Sequence, residues 1–181
     1  MKEKVILVLV LVAGSLSKNA RAQNMGEAKL NIRLHPVQTI SVNASGNGVN
    51  LDYKTREDYK NGINITQENH LKIYSTGAFI IKVRSTNPTL INANNTKSIN
   101  TADISITASK GTLNGVEKFS TAAINLSVED QELISSTVGG SNRTFNINYA
   151  AKGDDQYINK YVSTQNPTVY TTEVTYSIEP K

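Results

Sequence analysis

The sequence predicts an all-β protein: a single immunoglobulin-like antiparallel β-sandwich with Greek key connections, following a signal peptide. Three observations carry that expectation. Short segments along the chain alternate apolar and polar residues with period two, the mark of half-buried strands. Turn-forming residues punctuate them, as in the Asn43–Gly48 stretch and at Gly139-Gly140. Helical periodicity is nearly absent, no repeat of about 20–50 residues recurs, and no linker divides the chain. A closed barrel is the structural alternative.

Residues 1–22 read as a secretory signal peptide. Lys2 and Lys4 give a basic start, Val5 to Ala13 is an unbroken apolar run, and Ala20-Arg21-Ala22 is a small-x-small cleavage site. The run is far short of the roughly 20 residues a membrane span requires, so no span is expected. The expected mature chain, residues 23–181, is then one domain that works outside the cytoplasm.

The elements follow in order. Ala28, Leu30, Ile32 and Leu34 share one face of a strand, with Lys29, Asn31 and Arg33 on the other. His35-Pro36 interrupts it, because proline lacks a ladder donor and fixes its own φ. Val37 to Val42 resumes extended structure, Asn43 to Gly48 turns, and Val49 to Tyr53 is the next strand. Thr55 followed by Asp58 caps one helical turn within the charged stretch 54–62. Strands over His70–Ser75 and Phe79–Arg84 join near Gly77. Asn87-Pro88 opens a polar loop to about Thr101. Asp103–Ser109 is a strand and Lys110–Gly115 a turn. Ala122, Ile124 and Leu126 suit a further strand. Ser127-Val128-Glu129-Asp130 resembles a capping box, which predicts a short helix through about Ser135. Phe145, Ile147 and Tyr149 alternate in a clear strand, Lys152–Asp155 turns, and Thr171–Ser177 with Ile178 closes the chain as a strand.

Composition narrows the function classes. Removing Lys2, Lys4, Lys18, Arg21 and Glu3 from 19 basic and 15 acidic residues leaves 15 and 14, a net charge of +1. The remaining cations are dispersed, so no nucleic-acid partner is expected. Cysteine is absent, which excludes disulfide staples and a lipobox anchor. Stability must come from an aliphatic core.

The catalytic inventory is nearly empty. The two histidines, His35 and His70, lack zinc-site spacing and read as ordinary loop or strand-edge residues. The acidic pairs Glu57-Asp58, Glu129-Asp130 and Asp154-Asp155 fall in turns or a helix start, where solvated acids are normal. Gly153-Asp154-Asp155 lacks the interleaved spacing of an EF-hand loop. No G-x-S-x-G elbow, phosphate loop or dinucleotide fingerprint is present. No enzyme activity and no cofactor are expected. Five N-x-S/T sequons begin at Asn43, Asn64, Asn94, Asn125 and Asn142, as chance predicts in so Asn-, Ser- and Thr-rich a chain. Tyr53, Tyr59, Tyr74, Tyr157 and Tyr161 suit half-buried sheet positions better than a sugar-stacking platform.

A one-sided strand at the start of a mature chain has two fates: it pairs with its own sheet, or it completes the sheet of a neighbouring copy by β-strand addition. Head-to-tail repetition of the second builds a fibre. Glu27-Ala28-Lys29-Leu30-Asn31-Ile32-Arg33-Leu34-His35-Pro36-Val37 resembles the start of the alpha-type colonisation-factor pilins, fimbrial subunits assembled outside Gram-negative cells by a periplasmic chaperone and an usher. Val49–Tyr53, Phe79–Arg84, Ile104-Ser105-Ile106 with Glu117-Lys118-Phe119, and Asn166–Val174 are similar to later segments of that family. The resemblance runs in order through most of the mature chain in short pieces. Arg33 and His35 depart from it, lying where the family is usually less charged.

The resemblance implies a donor strand over residues 28–34, with Leu30, Ile32 and Leu34 inserting, Ala28 as a shallower fourth, and Pro36 at the strand-to-body junction. The partners are then other copies or related subunits, with a chaperone and usher in transit. The expected function is a non-enzymatic secreted or cell-surface structural subunit. The alternative is a stand-alone secreted module that binds glycan or a surface protein and keeps residues 28–34 in its own sheet. A hydrolase ranks third, because no acid, base or nucleophile stands out.

Overall fold

The computed structural model describes residues 25–43, 48–94, 97–113 and 118–181. The expected signal peptide and most of the Asn43–Gly48 turn lie outside the described residues. The chain divides into two units, residues 1–34 and residues 35–181. Within the first, residues 25–34 are exposed and carry neither helix nor strand. The strand expected over Ala28–Leu34 therefore has no ladder. Alternation supplies a face, but a strand also needs a neighbour to satisfy its backbone groups.

Among its described residues the second unit is all-β apart from one short helix and one 3-10 turn. Its strands are β1 (Gln38–Val42), β2 (Ile63–Ser75), β3 (Phe79–Ser85), β4 (Thr89–Asn92), β5 (Ser98–Asn100), β6 (Ile104–Lys110), β7 (Phe119–Thr121), β8 (Ala123–Asn125), β9 (Gln131–Ser136), β10 (Gly140–Ala151), β11 (Tyr170–Thr171) and β12 (Val174–Pro180). Every pairing is antiparallel. The strands form three sheets: β1-β2-β10-β6-β8, β12-β3-β9-β7 and the small β11-β4-β5.

Alternation builds the core. Leu71, Ile73, Ile106, Phe145 and Ile147 of the five-stranded sheet share one buried cluster with Phe79, Ile81, Val83, Leu133 and Tyr176 of the four-stranded sheet. Burying each large aliphatic or aromatic side chain contributes about 1.5–3 kcal/mol.

Helix α1 (Arg56–Asn61) forms where Thr55 and Asp58 predict it. Asp58 N–H donates to the Thr55 hydroxyl at 3.2 Å, and Thr55 N–H donates back to the Asp58 carboxylate at 2.7 Å. Gly62 ends the helix at φ 80°, where a Cβ would also strike the Ala151 carbonyl oxygen.

Several expectations are corrected. Val49, Leu51 and Tyr53 alternate inward and pack on the core, but the segment joins no sheet. The polar loop after Pro88 holds β4 and β5. The final strand breaks at Thr172-Glu173, so that β11 and β12 serve different sheets. The helix expected after Ser127 is strand β9. There the Ser127 hydroxyl accepts from Glu129 N–H, two residues on, and from Gln131 Nε2 at 2.7 Å, which makes a turn and not an N-cap. Leu133 and Ile134 are both fully buried because Ile81 pairs with Ile134 while Lys82 pairs with Glu132. Leu133 is the extra residue of a bulge, which aims two successive side chains into the core.

A second bulge lies in β2. Phe145 pairs with Leu71, yet Ile147 pairs with Gln67, so three residues of β2 oppose one of β10. Asn69 adopts φ 51° there, its N–H donating to Asn146 Oδ1 at 2.8 Å and its Oδ1 accepting from Thr112 N–H at 2.9 Å. The bulge brings His70 and Leu71 both into the interior.

Candidate functional site

The two larger sheets leave an edge open at β1 and at β12, and these edges approach to within 8 Å between Cα atoms without forming a ladder. The register decides which backbone groups face outward. Thr86 N–H donates to Glu173 C=O and Lys181 N–H to Ala78 C=O, which bracket the β12–β3 ladder. The hydrogen-bonded pairs alternate, so Thr175, Ser177 and Glu179 face β3 while the backbone groups of Val174, Tyr176 and Ile178 face the open side. Pro180, last in the strand, has no N–H to offer there. On β1 the same parity follows from Thr76 N–H donating to Val37 C=O and Asn43 N–H to His70 C=O. Gln38, Ile40 and Val42 then face the open side. The side chains of Ile40, Val174 and Ile178 rest only half-buried against the core. A free edge of this kind templates an added strand.

The residues expected to form the donor strand are placed as follows. Leu30, Ile32 and Leu34 are 89%, 81% and 88% exposed. Ala28 and Pro36 are exposed as well. Val37, the residue after Pro36, begins the hydrogen bonding to β2, its N–H donating to the Thr76 hydroxyl at 2.9 Å.

Behind the β12 edge lies a polar chain that period-two reasoning missed. His70 Nδ1 is 3.1 Å from the Asn43 carbonyl oxygen, and His70 Nε2 is 3.0 Å from the Tyr149 hydroxyl. The Tyr149 and Tyr176 hydroxyls are 2.6 Å apart. A carbonyl only accepts, so Nδ1 carries the proton and the neutral ring accepts at Nε2. Tyr149 then donates to His70, and Tyr176 donates to Tyr149. Burial lowers the His70 pKa, partly opposed by the Asn43 hydrogen bond, and so favours this neutral ring. Burial likewise pushes the Tyr149 hydroxyl up to about 12, and it raises Tyr176 too. Three strands from two sheets are joined in the interior by neutral, fully directed hydrogen bonds.

The remaining candidates fall elsewhere. His35 is exposed. Glu57 and Asp58 sit in the first turn of α1, where hydrogen bonds from the Thr55 and Lys54 N–H groups hold the Asp58 carboxyl below its ordinary range. Asp154 and Asp155 adopt φ 52° and 57°, and their N–H groups donate to the Lys60 and Tyr59 carbonyls at the end of α1. Asp130 lies 3.6 Å from Arg84 on the surface. Among the described residues no three His, Cys, Asp or Glu side chains converge as a metal cluster would. Tyr53 packs tilted against Tyr59 at 5.3 Å and edge-on against Tyr157 at 5.1 Å, so the three rings pack on one another. Tyr74 and Tyr161 are largely exposed. The Asn64 side chain accepts from Asn148 Nδ2 at 2.6 Å, while Asn125 and Asn142 are exposed. The sequons at Asn43 and Asn94 run into residues outside the described ones.

No protein-family model and no curated protein matches this chain. Among the described residues no helix is long and apolar enough to cross a membrane.

Proposed function

We propose that the protein is a non-enzymatic structural subunit of the secreted or cell-surface kind, an immunoglobulin-like sandwich that self-associates by β-strand addition. Residues 28–34 of one copy dock along the open edge of β12, beside β1, in the next copy. The observation that carries this reading is the match between two unsatisfied partners. One is an exposed segment with Leu30, Ile32 and Leu34 on a single face. The other is an edge whose outward backbone groups at Val174, Tyr176 and Ile178 alternate in the same period, above half-buried Ile40, Val174 and Ile178. Backbone hydrogen bonds would supply affinity, and the alternate side chains would set the register. A donor from one copy and an acceptor on another make a heterologous contact, which repeats into a fibre. The partners are copies of this chain or related subunits. In the fimbrial setting that the resemblance implies, a periplasmic chaperone and an usher handle the subunit in transit.

The test is light scattering on the parent and on Ile32→Asp. The parent should form head-to-tail species. The variant should be a folded monomer, because Ile32 is exposed in the single chain. If both are monomers, the assembly reading is wrong.

A further inference from the structure

A cleft of about 370 Å³ opens between the β4–β5 hairpin and the turn that follows β10, at the small end of the range for small-molecule sites. Its lining includes Ile99, Asn100, Asp103, Gln156, Tyr157 and Lys160. The lining combines an apolar part with unused polar valences. Asn100 spends its carbonyl oxygen on Ala102 N–H at 3.0 Å, capping the 3-10 turn Thr101–Asp103, and keeps its NH₂ group. Asp103 accepts from Lys152 Nζ through one carboxylate oxygen at 2.7 Å and has the other left over. Lys160 Nζ donates one hydrogen to the Ser98 carbonyl at 2.7 Å and retains two more. The Gln156 side chain is exposed. Tyr157 is nine-tenths buried, its ring held edge-on against Tyr53.

We infer that this cleft is a binding site for one pyranose ring of a glycan. Neighbouring sugar hydroxyls both donate and accept. A carboxylate oxygen beside amide and ammonium donors meets both needs, while Ile99 gives the C–H face of the ring an apolar contact. The alternatives fit worse. One carboxylate, already paired with Lys152, is too little for a divalent cation. That same carboxylate repels a free anion. The cleft uses none of the residues that strand addition engages, so it binds sugar whether or not the protein polymerises.

Saturation-transfer NMR observed on the ligand reads monomer and polymer alike. The probes are the methyl glycosides of glucose, galactose, mannose and N-acetylglucosamine, with glucuronic acid as the anionic comparison. At least one neutral probe should show transfer. Gln156→Ala and Asp103→Asn should each weaken that binding roughly threefold to tenfold, the scale of one hydrogen bond. Tyr161→Ala, which alters an exposed ring outside the cleft lining, should leave it unchanged. Far-UV circular dichroism and thermal melts establish that the variants are folded. The inference is overturned if every neutral probe is silent. It is overturned equally if glucuronic acid alone binds, since Lys160 is then a simple anion site, or if Tyr161→Ala abolishes binding while Gln156→Ala does not.

Discussion

The Tyr149 and Tyr176 hydroxyls lie 2.6 Å apart in the interior, and their hydrogen bond joins β10 of the five-stranded sheet to β12 of the four-stranded one. Its direction is set two groups away, by the Asn43 carbonyl that fixes the His70 tautomer. The consequence for the edge is direct. Tyr176 presents its backbone to the open side of β12 while its side chain is tied inward, so the edge is held in shape before any partner arrives.

That directed chain makes the two tyrosines unequal. Tyr149→Phe removes the middle hydroxyl and leaves both the Tyr176 O–H and His70 Nε2 buried without partners. It should cost about 1–3 kcal/mol or more. Tyr176→Phe removes only the terminal donor and should cost about 1 kcal/mol. Urea denaturation measures both. A larger loss for Tyr176→Phe would mean that the hydrogen bonds do not run from Tyr176 through Tyr149 to His70.

Stability should depend on pH through His70. Its folded pKa lies below the ordinary histidine value of about 6.5. The unfolded chain therefore binds more protons between the folded value and about 6.5, so stability rises with pH across that interval. The contribution is complete above about pH 6.5 and is lost as pH falls through the folded value. In His70→Gln this part of the slope should vanish. Parallel pH profiles for parent and variant, followed by urea midpoints, would show that His70 is not the titrating group.

Head-to-tail assembly predicts complementation. Ile32→Asp spoils the donor face but leaves the β12 edge intact, while Ile178→Asp spoils the acceptor and leaves residues 28–34 intact. The second variant should also lose about 1–3 kcal/mol, because Ile178 is half-buried. Each alone should be monomeric, and a mixture should form dimers and nothing longer. Sedimentation velocity separates these outcomes. A mixture that stays monomeric speaks against strand addition, as does either variant polymerising alone.

The β9 bulge predicts that Leu133 and Ile134 both behave as core residues despite being adjacent. Leu133→Ala and Ile134→Ala should each cost about 2–5 kcal/mol in chemical denaturation. A loss under about 1 kcal/mol for either would show that its side chain is not part of the core.

Much of the architecture was legible in residues 79–85, 104–110 and 145–149, where apolar side chains recur at every second position and the strands run regularly. The capping box at Thr55 and Asp58 was legible for a similar reason, since its two hydrogen bonds close within four residues. Ser127 carried the same local signal and misled, because burial of Leu133, Ile134, Ser135 and Ser136 between neighbouring strands outweighs a cap. His70 read as an ordinary strand residue. Its burial depends on the bulge at Asn69, which is pinned by Asn146 and Thr112 from other parts of the chain.

The sequence by itself determined where chain faces alternate, which turns break them, and that residues 28–34 carry an apolar side. Those are short-range properties of side-chain spacing and φ/ψ preference. Only the tertiary structure decided that His70, Tyr149 and Tyr176 meet, that two bulges redirect buried side chains, and that β1 and β12 are left as neighbouring open edges. Each of these depends on which strands become neighbours, and that choice is made by burial and backbone pairing summed over the whole domain.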